Sequence, residues 1–130
     1  MRVLRARGVK RIVLIGASVG AEGSVVAASH LGKLVDGVIA LSPSEGLAGP
    51  LDLDAERAMV RRISARKLFI AGREDGAAAD AVRNFFRFAR APKAKRIVPT
   101  AAHGVSLFAS PQRDVVTSAV LRFLSAAKPA

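Results

Sequence analysis

The chain of 130 residues contains no cysteine, no tryptophan and no tyrosine. Without cysteine it can form neither a disulfide framework nor a thiolate metal site, and we expect neither a metal nor a cofactor. No apolar run approaches the roughly 18 residues of a membrane-spanning helix. The basic residues 1–8 lack the apolar core of a signal peptide. These absences predict a cytoplasmic protein without a membrane span.

Acidic residues are also scarce, because 10 Asp and Glu stand against 21 Lys and Arg, giving a net charge of +11. Such an excess is typical of proteins that bind nucleic acid or an anionic surface. The basic residues are scattered along the chain, however, and none of the six Phe lies in a basic-aromatic RNA-binding pattern. We therefore predict a solvated, arginine-rich surface and expect no nucleic-acid partner.

Four short apolar segments, rich in β-branched residues, predict strands at Ile12–Ile15, Gly37–Leu41, Lys67–Ala71 and Arg96–Val98. Apart from Lys67 and Arg96, which stand first in their segments, each segment is continuously apolar instead of alternating between apolar and polar residues. This pattern is typical of parallel strands that are buried on both faces of a sheet.

Helical patterns lie between and after these strands, at Val19–Leu31, Asp54–Ile63 and Ala78–Ala89. A last helix is predicted to begin at Ser110-Pro111, with Ser110 as its N-cap. Its expected buried residues are Val115, Val116, Ala119, Val120, Phe123 and Leu124. The alternation predicts an α/β fold in one domain, residues 1–130, with an open, mostly parallel sheet and helices packed on it.

The segment Gly16–Gly20, which reads Gly-Ala-Ser-Val-Gly, joins the first strand to the first long helix. A serine at so tight a turn needs small neighbours, and Gly16 and Gly20 supply that room. This is the sequence form of a nucleophile elbow, in which the serine is held in an unusual backbone conformation. The motif alone is weakly specific, because a glycine-rich turn before a helix also suits a phosphate-binding loop.

Two further polar residues follow predicted strands, Asp75 after the third and His103 after the fourth. The carboxyl ends of parallel strands lie at one edge of a sheet, where ligands bind in such folds. The order Ser18, Asp75, His103, together with the elbow, Gly72-x-x-Asp75 and Ala102-His103-Gly104, closely resembles the α/β-hydrolase superfamily. The resemblance covers essentially the whole chain, as the C-terminal half of that fold.

The resemblance implies a serine hydrolase that transfers an acyl group to water from a small, accessible ester. Ser18 would be the nucleophile, His103 the general base and acid, and Asp75 the carboxylate that orients the imidazole. The backbone N–H of Val19, at the helix N-terminus, would be one oxyanion donor. No cofactor is implied.

Other polar residues near these positions have ordinary explanations. Asp75 could also be the N-cap of the following helix. Glu74 is expected to be solvated and Asp80 to lie within the helix, whereas His30 is expected to be a polar residue late in its helix. Ser42–Ser44 either line the pocket or serve a turn around Pro43.

A complete α/β-hydrolase has further strands before the elbow strand, and a loop there gives the second oxyanion donor. We therefore expect a fold truncated at its N-terminus, in which the activity of the 130-residue form is in doubt. The first strand would then be an exposed edge through which the chain could associate or oligomerise.

Three alternative functions remain at this point. A truncated module could keep the triad by descent without catalysing a reaction. The glycines at 16, 20 and 23 also resemble a dinucleotide-binding turn. Ser18, however, stands where that motif needs glycine, and this reading leaves Asp75 and His103 without a role. A nucleic-acid binder is the last alternative.

Overall fold

The computed structural model describes residues 1–46 and 53–126. Its sheet consists of β1 (Val13–Ala17), β2 (Gly37–Leu41), β3 (Arg66–Gly72) and β4 (Lys93–Val98). All three strand pairings are parallel, and the strands lie in the order β1-β2-β3-β4. The predicted open parallel sheet is thus confirmed, although β4 begins three residues earlier than its apolar core indicates.

Three helices connect the strands in the predicted alternation: α2 (Val19–Leu31), α3 (Leu53–Arg62) and α4 (Gly76–Phe88). The helix α1 (Arg2–Ala6) precedes β1, and α5 (Arg113–Ser125) follows β4. Short 3₁₀ helices add Gly32–Leu34 and Gly104–Ala109. None of the helices in the described part of the chain combines the length and apolar character needed to cross a membrane.

The helices cover the two faces of the sheet in separate layers, because side chains alternate between faces along each strand. On one face, Val38 and Phe69 belong to a core shared with α2, α3 and α4. On the other, Ile39 and Ile70 pack with the 104–109 helix and α5. The central strand β2 is buried along its whole length, which explains its continuous apolar sequence.

The two outer strands are less buried than their apolar sequences predict. Ile15 in β1 is 49% exposed, and residues 94–96 of β4 are exposed. Among the described residues each of these strands has one strand neighbour and lies at an edge of the sheet. The expectation of burial on both faces is therefore right for β2 and wrong for β1 and β4. Association through the exposed edge stays a prediction.

The start of the last helix also differs from the prediction. The hydroxyl of Ser110 donates to the carbonyl of Leu107 and accepts from the N–H of Gln112. Ser110 therefore closes a turn after the 3₁₀ helix, a local bond that competes with helix initiation, and α5 begins at Arg113. The predicted burial of Val115 is also wrong, because Val115 lies on the outer face of α5 and is 46% exposed, whereas Val116 is buried.

A lysine, Lys67, is buried at the amino end of β3. The sequence pattern predicts a strand at this position but does not indicate that the lysine is buried. Lys67 is 1% exposed, and its Nζ donates to the carbonyls of Ile63 and Ala65 at 2.8 and 2.6 Å. Burial, with a smaller contribution from the charge of Lys93, lowers the pKa of Lys67 to about 8. The ammonium thus supplies hydrogen bonds to carbonyls beyond the end of α3.

This lowered pKa predicts a pH-dependent stability. Unfolded lysine titrates near pH 10.4, so between about pH 8 and that value the unfolded chain binds more protons than the folded chain. The free energy of unfolding should therefore rise with pH across this window, by at most about 1.4 kcal/mol per pH unit. Urea unfolding of the wild type, measured relative to Lys67→Met, isolates this contribution. Exposed Lys33, changed to Met, is the control, and an equal slope in both comparisons would contradict the assignment.

Candidate active site

Side chains from the ends of three strands meet at the carboxyl edge of the sheet. Ser18 follows β1, Asp75 follows β3 and His103 lies in the loop after β4. His103 Nε2 is 2.8 Å from Ser18 Oγ, and His103 Nδ1 is 2.8 and 3.1 Å from the two carboxylate oxygens of Asp75. The structure therefore brings all three predicted residues into one hydrogen-bonded row.

The row defines the proton positions at the imidazole. A carboxylate only accepts hydrogen bonds, so Nδ1 carries a proton and donates to Asp75 when that group is ionised. In the neutral imidazole Nε2 then has no proton and accepts from the hydroxyl of Ser18. The side chain of His103 is 47% exposed and that of Asp75 is 17% exposed. The imidazole is thus open to solvent, whereas Ser18 is half-buried.

Ser18 has the unusual backbone that the motif predicts. Its φ is 52° and its ψ is −123°, a backbone region that residues other than glycine rarely adopt. The N–H of Ser18 donates to the carbonyl of Leu41 on β2, and its carbonyl accepts from the N–H of Ala21 in α2. These bonds from the neighbouring strand and helix hold the serine in its conformation.

The two glycines of the motif have different roles. A Cβ at Gly16 would lie 1.9 Å from the carbonyl oxygen of Gly20, so no side chain fits there. A Cβ at Gly20 would meet no atom of the described residues within 4 Å. The expectation that both glycines supply room is therefore right for Gly16 and wrong for Gly20. The crowding at the turn comes from the backbone of Gly20, which lies against Gly16, and a side chain at Gly20 itself would not add to it.

Asp75 stands at the N-cap position of α4, the alternative that its sequence position left open, but its side chain makes no capping hydrogen bond. Its backbone carbonyl accepts from the N–H groups of Ala78 and Ala79, while its carboxylate reaches His103. Gly72 permits the approach of the two loops, because a Cβ there would lie 2.2 Å from the carbonyl oxygen of Thr100. The carboxylate is thus committed to the imidazole.

Val19 is the first residue of α2, so its N–H has no acceptor one turn earlier in the helix. This group lies beside Ser18 at the helix N-terminus, where the helix dipole favours negative charge. Val19 is 72% exposed, and Val105, two residues after His103, is 70% exposed. Exposed apolar side chains therefore adjoin both reacting residues in sequence.

Two buried carboxylates, which no motif in the sequence indicates, lie under the loop after β2. Glu22 Oε1 accepts from the N–H of Ser44 at 3.1 Å, and Glu56 Oε2 accepts from the N–H of Gly46 at 2.9 Å. Burial raises the pKa of both carboxyls, and the charge of Glu45 adds to the effect at Glu56. They tie this loop to α2 and α3. The only sign of their burial in the sequence is that Glu22 and Glu56 each lie on a helix face whose other residues are small or apolar.

The remaining polar candidates lie outside the hydrogen-bonded row. Glu74 is exposed, Asp80 forms an ion pair with Arg83 on the surface of α4, and His30 is exposed in the last turn of α2. Ser42 is fully buried, so it does not line an open pocket. Within residues 1–46 and 53–126, no three His, Asp or Glu side chains are grouped so as to hold a metal ion.

The solved structures that resemble this chain share its sheet and helix arrangement. No protein-family model and no curated protein matches the sequence. The chain is similar to the esterase domain of a Rhodothermus marinus protein (TM-score 0.70, 20% identity), covering 95% of this chain and 63% of that one. It is also similar to a dienelactone hydrolase from Anabaena variabilis (TM-score 0.67, 22% identity), covering 85% and 46%.

A third similar structure is the acylaminoacyl peptidase of Pyrococcus horikoshii, with a TM-score of 0.70 and 20% identity over 95% of this chain and 25% of that one. These neighbours are all α/β-hydrolases. The chain therefore has the α/β-hydrolase fold, and it spans between 25 and 63% of the length of these three proteins.

Proposed function

We propose that the chain is a serine hydrolase that transfers the acyl group of a small, accessible carboxylester to water. The observation that carries the proposal is the hydrogen-bonded row Ser18–His103–Asp75, whose members are 85 and 28 residues apart in sequence. Residues that serve only as a solvated surface have no reason to form such a row. The strained backbone of Ser18, at one end of the row, is a second argument for a catalytic role. The strain costs on the order of 1–3 kcal/mol, and residues held in this way are concentrated at functional sites.

The proposed reaction begins with attack of Ser18 Oγ on the ester carbonyl carbon, while His103 Nε2 takes the hydroxyl proton. The electron pair of the carbonyl moves onto oxygen, where the N–H of Val19 stabilises the negative charge. Asp75 stabilises the imidazolium that forms. The C–O bond to the leaving group then breaks, and His103 returns the proton to the departing alcohol.

The acyl group is then bound to Ser18 through an ester. Water attacks this ester as His103 Nε2 takes one of its protons, and the tetrahedral intermediate collapses with return of that proton to Ser18 Oγ. The carboxylic acid leaves and the resting side chains are restored. Each step uses one proton at Nε2, so one imidazole serves both halves of the reaction.

The open surroundings favour an accessible substrate over a deeply enclosed one. Two clefts of about 620 and 380 Å³ lie elsewhere, one between β4 and α5 and the other beside the amino ends of β2 and β3. Neither is lined by Ser18, Asp75 or His103. The dinucleotide alternative has less support, because the Ser18 hydroxyl is bonded to His103.

Covalent labelling tests the proposal without knowledge of the substrate. A fluorophosphonate reacts with a serine only when a base activates it, so the native chain should gain one phosphonyl group, located on Ser18 by mass spectrometry of its peptides. The other serines, Ser24 and Ser106 among them, should remain unmodified. Heat-denatured protein is the control and should not react. An adduct on another residue would reject Ser18 as the nucleophile, and absence of any adduct would show that the 130-residue chain is not an active hydrolase.

A further inference from the structure

Ser42 is the second strained serine at the same edge of the sheet. Among the residues that the structure describes, it and Ser18 are the only non-glycine residues with positive φ, 47° and 52°. The two follow strand residues that pair directly, since Ala17 is opposite Leu41 in the β1–β2 register. Both positions thus turn the chain sharply out of adjacent strands.

The side chain of Ser42 is fully buried and has a defined hydrogen bond. Its Oγ accepts from the backbone N–H of Gly104 at 2.8 Å, across 62 residues of sequence. Its own N–H donates to the carbonyl of Ile70 at 2.7 Å, which fixes it against β3. Ser42 therefore links the end of β2 to the residue that directly follows His103.

The bond to Ser42 satisfies the buried N–H of Gly104 and holds this residue in position. Its residue is buried, with φ of 58°, and a Cβ there would lie 3.6 Å from the Cβ of Ala17 and 3.9 Å from that of Ser18. A buried backbone N–H without an acceptor costs about 1–3 kcal/mol. The hydroxyl of Ser42 satisfies this group, and in doing so holds the His103 loop against the end of β1.

We propose that Ser42 is a positioning residue, which holds His103 Nε2 in line with Ser18 Oγ through the backbone of Gly104. The inference rests on the proposed function and adds a residue that acts through the histidine without touching the substrate. The N–H that donates to Ser42 Oγ is part of the peptide group that joins His103 to Gly104. Fixing that peptide fixes the direction in which the imidazole leaves the backbone.

The strain at Ser42 supports a use for its hydroxyl. Glycine enters the positive-φ region at no steric cost, whereas serine there costs on the order of 1–3 kcal/mol. A residue chosen for the turn alone would be glycine. Serine at this position is explained by the acceptor that it presents to Gly104.

Two variants separate the hydroxyl from the backbone strain. Ser42→Ala keeps a strained side chain and removes the acceptor, whereas Ser42→Gly removes the acceptor and relieves the strain, so it should fold at least as well as Ser42→Ala. Ser110→Ala is the matched control, because Ser110 is also buried and accepts a backbone N–H, at the far end of the same 3₁₀ helix.

Two readouts are measured on the full chain carrying His30→Gln, which leaves His103 as the single histidine. The first is the rate of fluorophosphonate labelling, expected to fall on the order of 10- to 100-fold in both Ser42 variants, because small misplacement of a catalytic group has effects of this size. The second is the NMR signal of the His103 Nδ1 proton, expected to weaken or disappear through faster exchange. The Ser110→Ala control should leave both readouts unchanged.

The outcomes distinguish this proposal from the proposed function. Wild-type labelling rate together with a wild-type imidazole signal in Ser42→Gly would overturn the positioning role. A similar loss in Ser110→Ala would also overturn it, by showing that general destabilisation causes the effect. If the parent chain is not labelled but its imidazole signal still depends on Ser42, the hydrolase proposal fails and the positioning role stands.

Discussion

Replacing Ser18 with alanine is expected to abolish fluorophosphonate labelling and to reduce hydrolysis of an activated short-chain ester by a factor on the order of 10³ or more. The variant has no oxygen at the end of the Ser18–His103–Asp75 row, so neither the covalent adduct nor the acyl intermediate can form. Any residual rate would come from oxyanion stabilisation and binding alone. Ser24→Ala, one turn and a half further along α2, is the matched control and should retain the parent activity.

A second substitution at the same position separates function from stability. Ser18→Gly should be as unreactive as Ser18→Ala, but more stable by about 1 kcal/mol or more, because glycine relieves the strain at φ 52° and ψ −123°. Urea unfolding of both variants measures the difference. Labelling that persists in either variant would show that another residue is the nucleophile. Equal stability of the two would show that the backbone at Ser18 is not strained.

Replacing Gly16 with alanine is expected to prevent stable folding, with a loss of at least about 3 kcal/mol. The added Cβ would lie 1.9 Å from the carbonyl oxygen and 2.3 Å from the carbonyl carbon of Gly20. Backbone atoms at the start of α2 cannot rotate away as a side chain can. The sheet and the helix would have to separate at the turn that carries Ser18, and urea unfolding or loss of soluble protein measures the result.

The other glycine of the motif gives the opposite prediction and is the control for the first. A Cβ at Gly20 meets nothing within 4 Å among the described residues, and Gly20 lies within α2. Gly20→Ala should therefore stabilise the chain by up to about 1 kcal/mol, the difference between the two residues in a helix. Destabilisation of similar size in both variants would contradict the crowding that the turn shows around Gly16.

Much of the fold is predictable from local patterns. The bounds of β2 and α2 follow exactly from a continuous apolar run and from a helical segment after a small-residue turn, and the four strands run parallel in sequential order as expected. The outer strands and the start of α5 are less predictable. Exposure at Ile15 depends on which strands lie beside β1, and the turn at Ser110 depends on a side-chain bond to the preceding 3₁₀ helix.

The sequence by itself determined the three residues of the candidate site, because strand ends in a parallel sheet lie at one edge and residue types limit the chemistry there. Only the tertiary structure decided which groups hold them. Asp75 lies at a helix start, where capping and imidazole binding are equally compatible with its sequence, and its carboxylate is directed to His103. Ser42 resembled an ordinary turn serine, since its partner Gly104 is 62 residues away. Contacts between distant segments depend on packing that no local pattern contains.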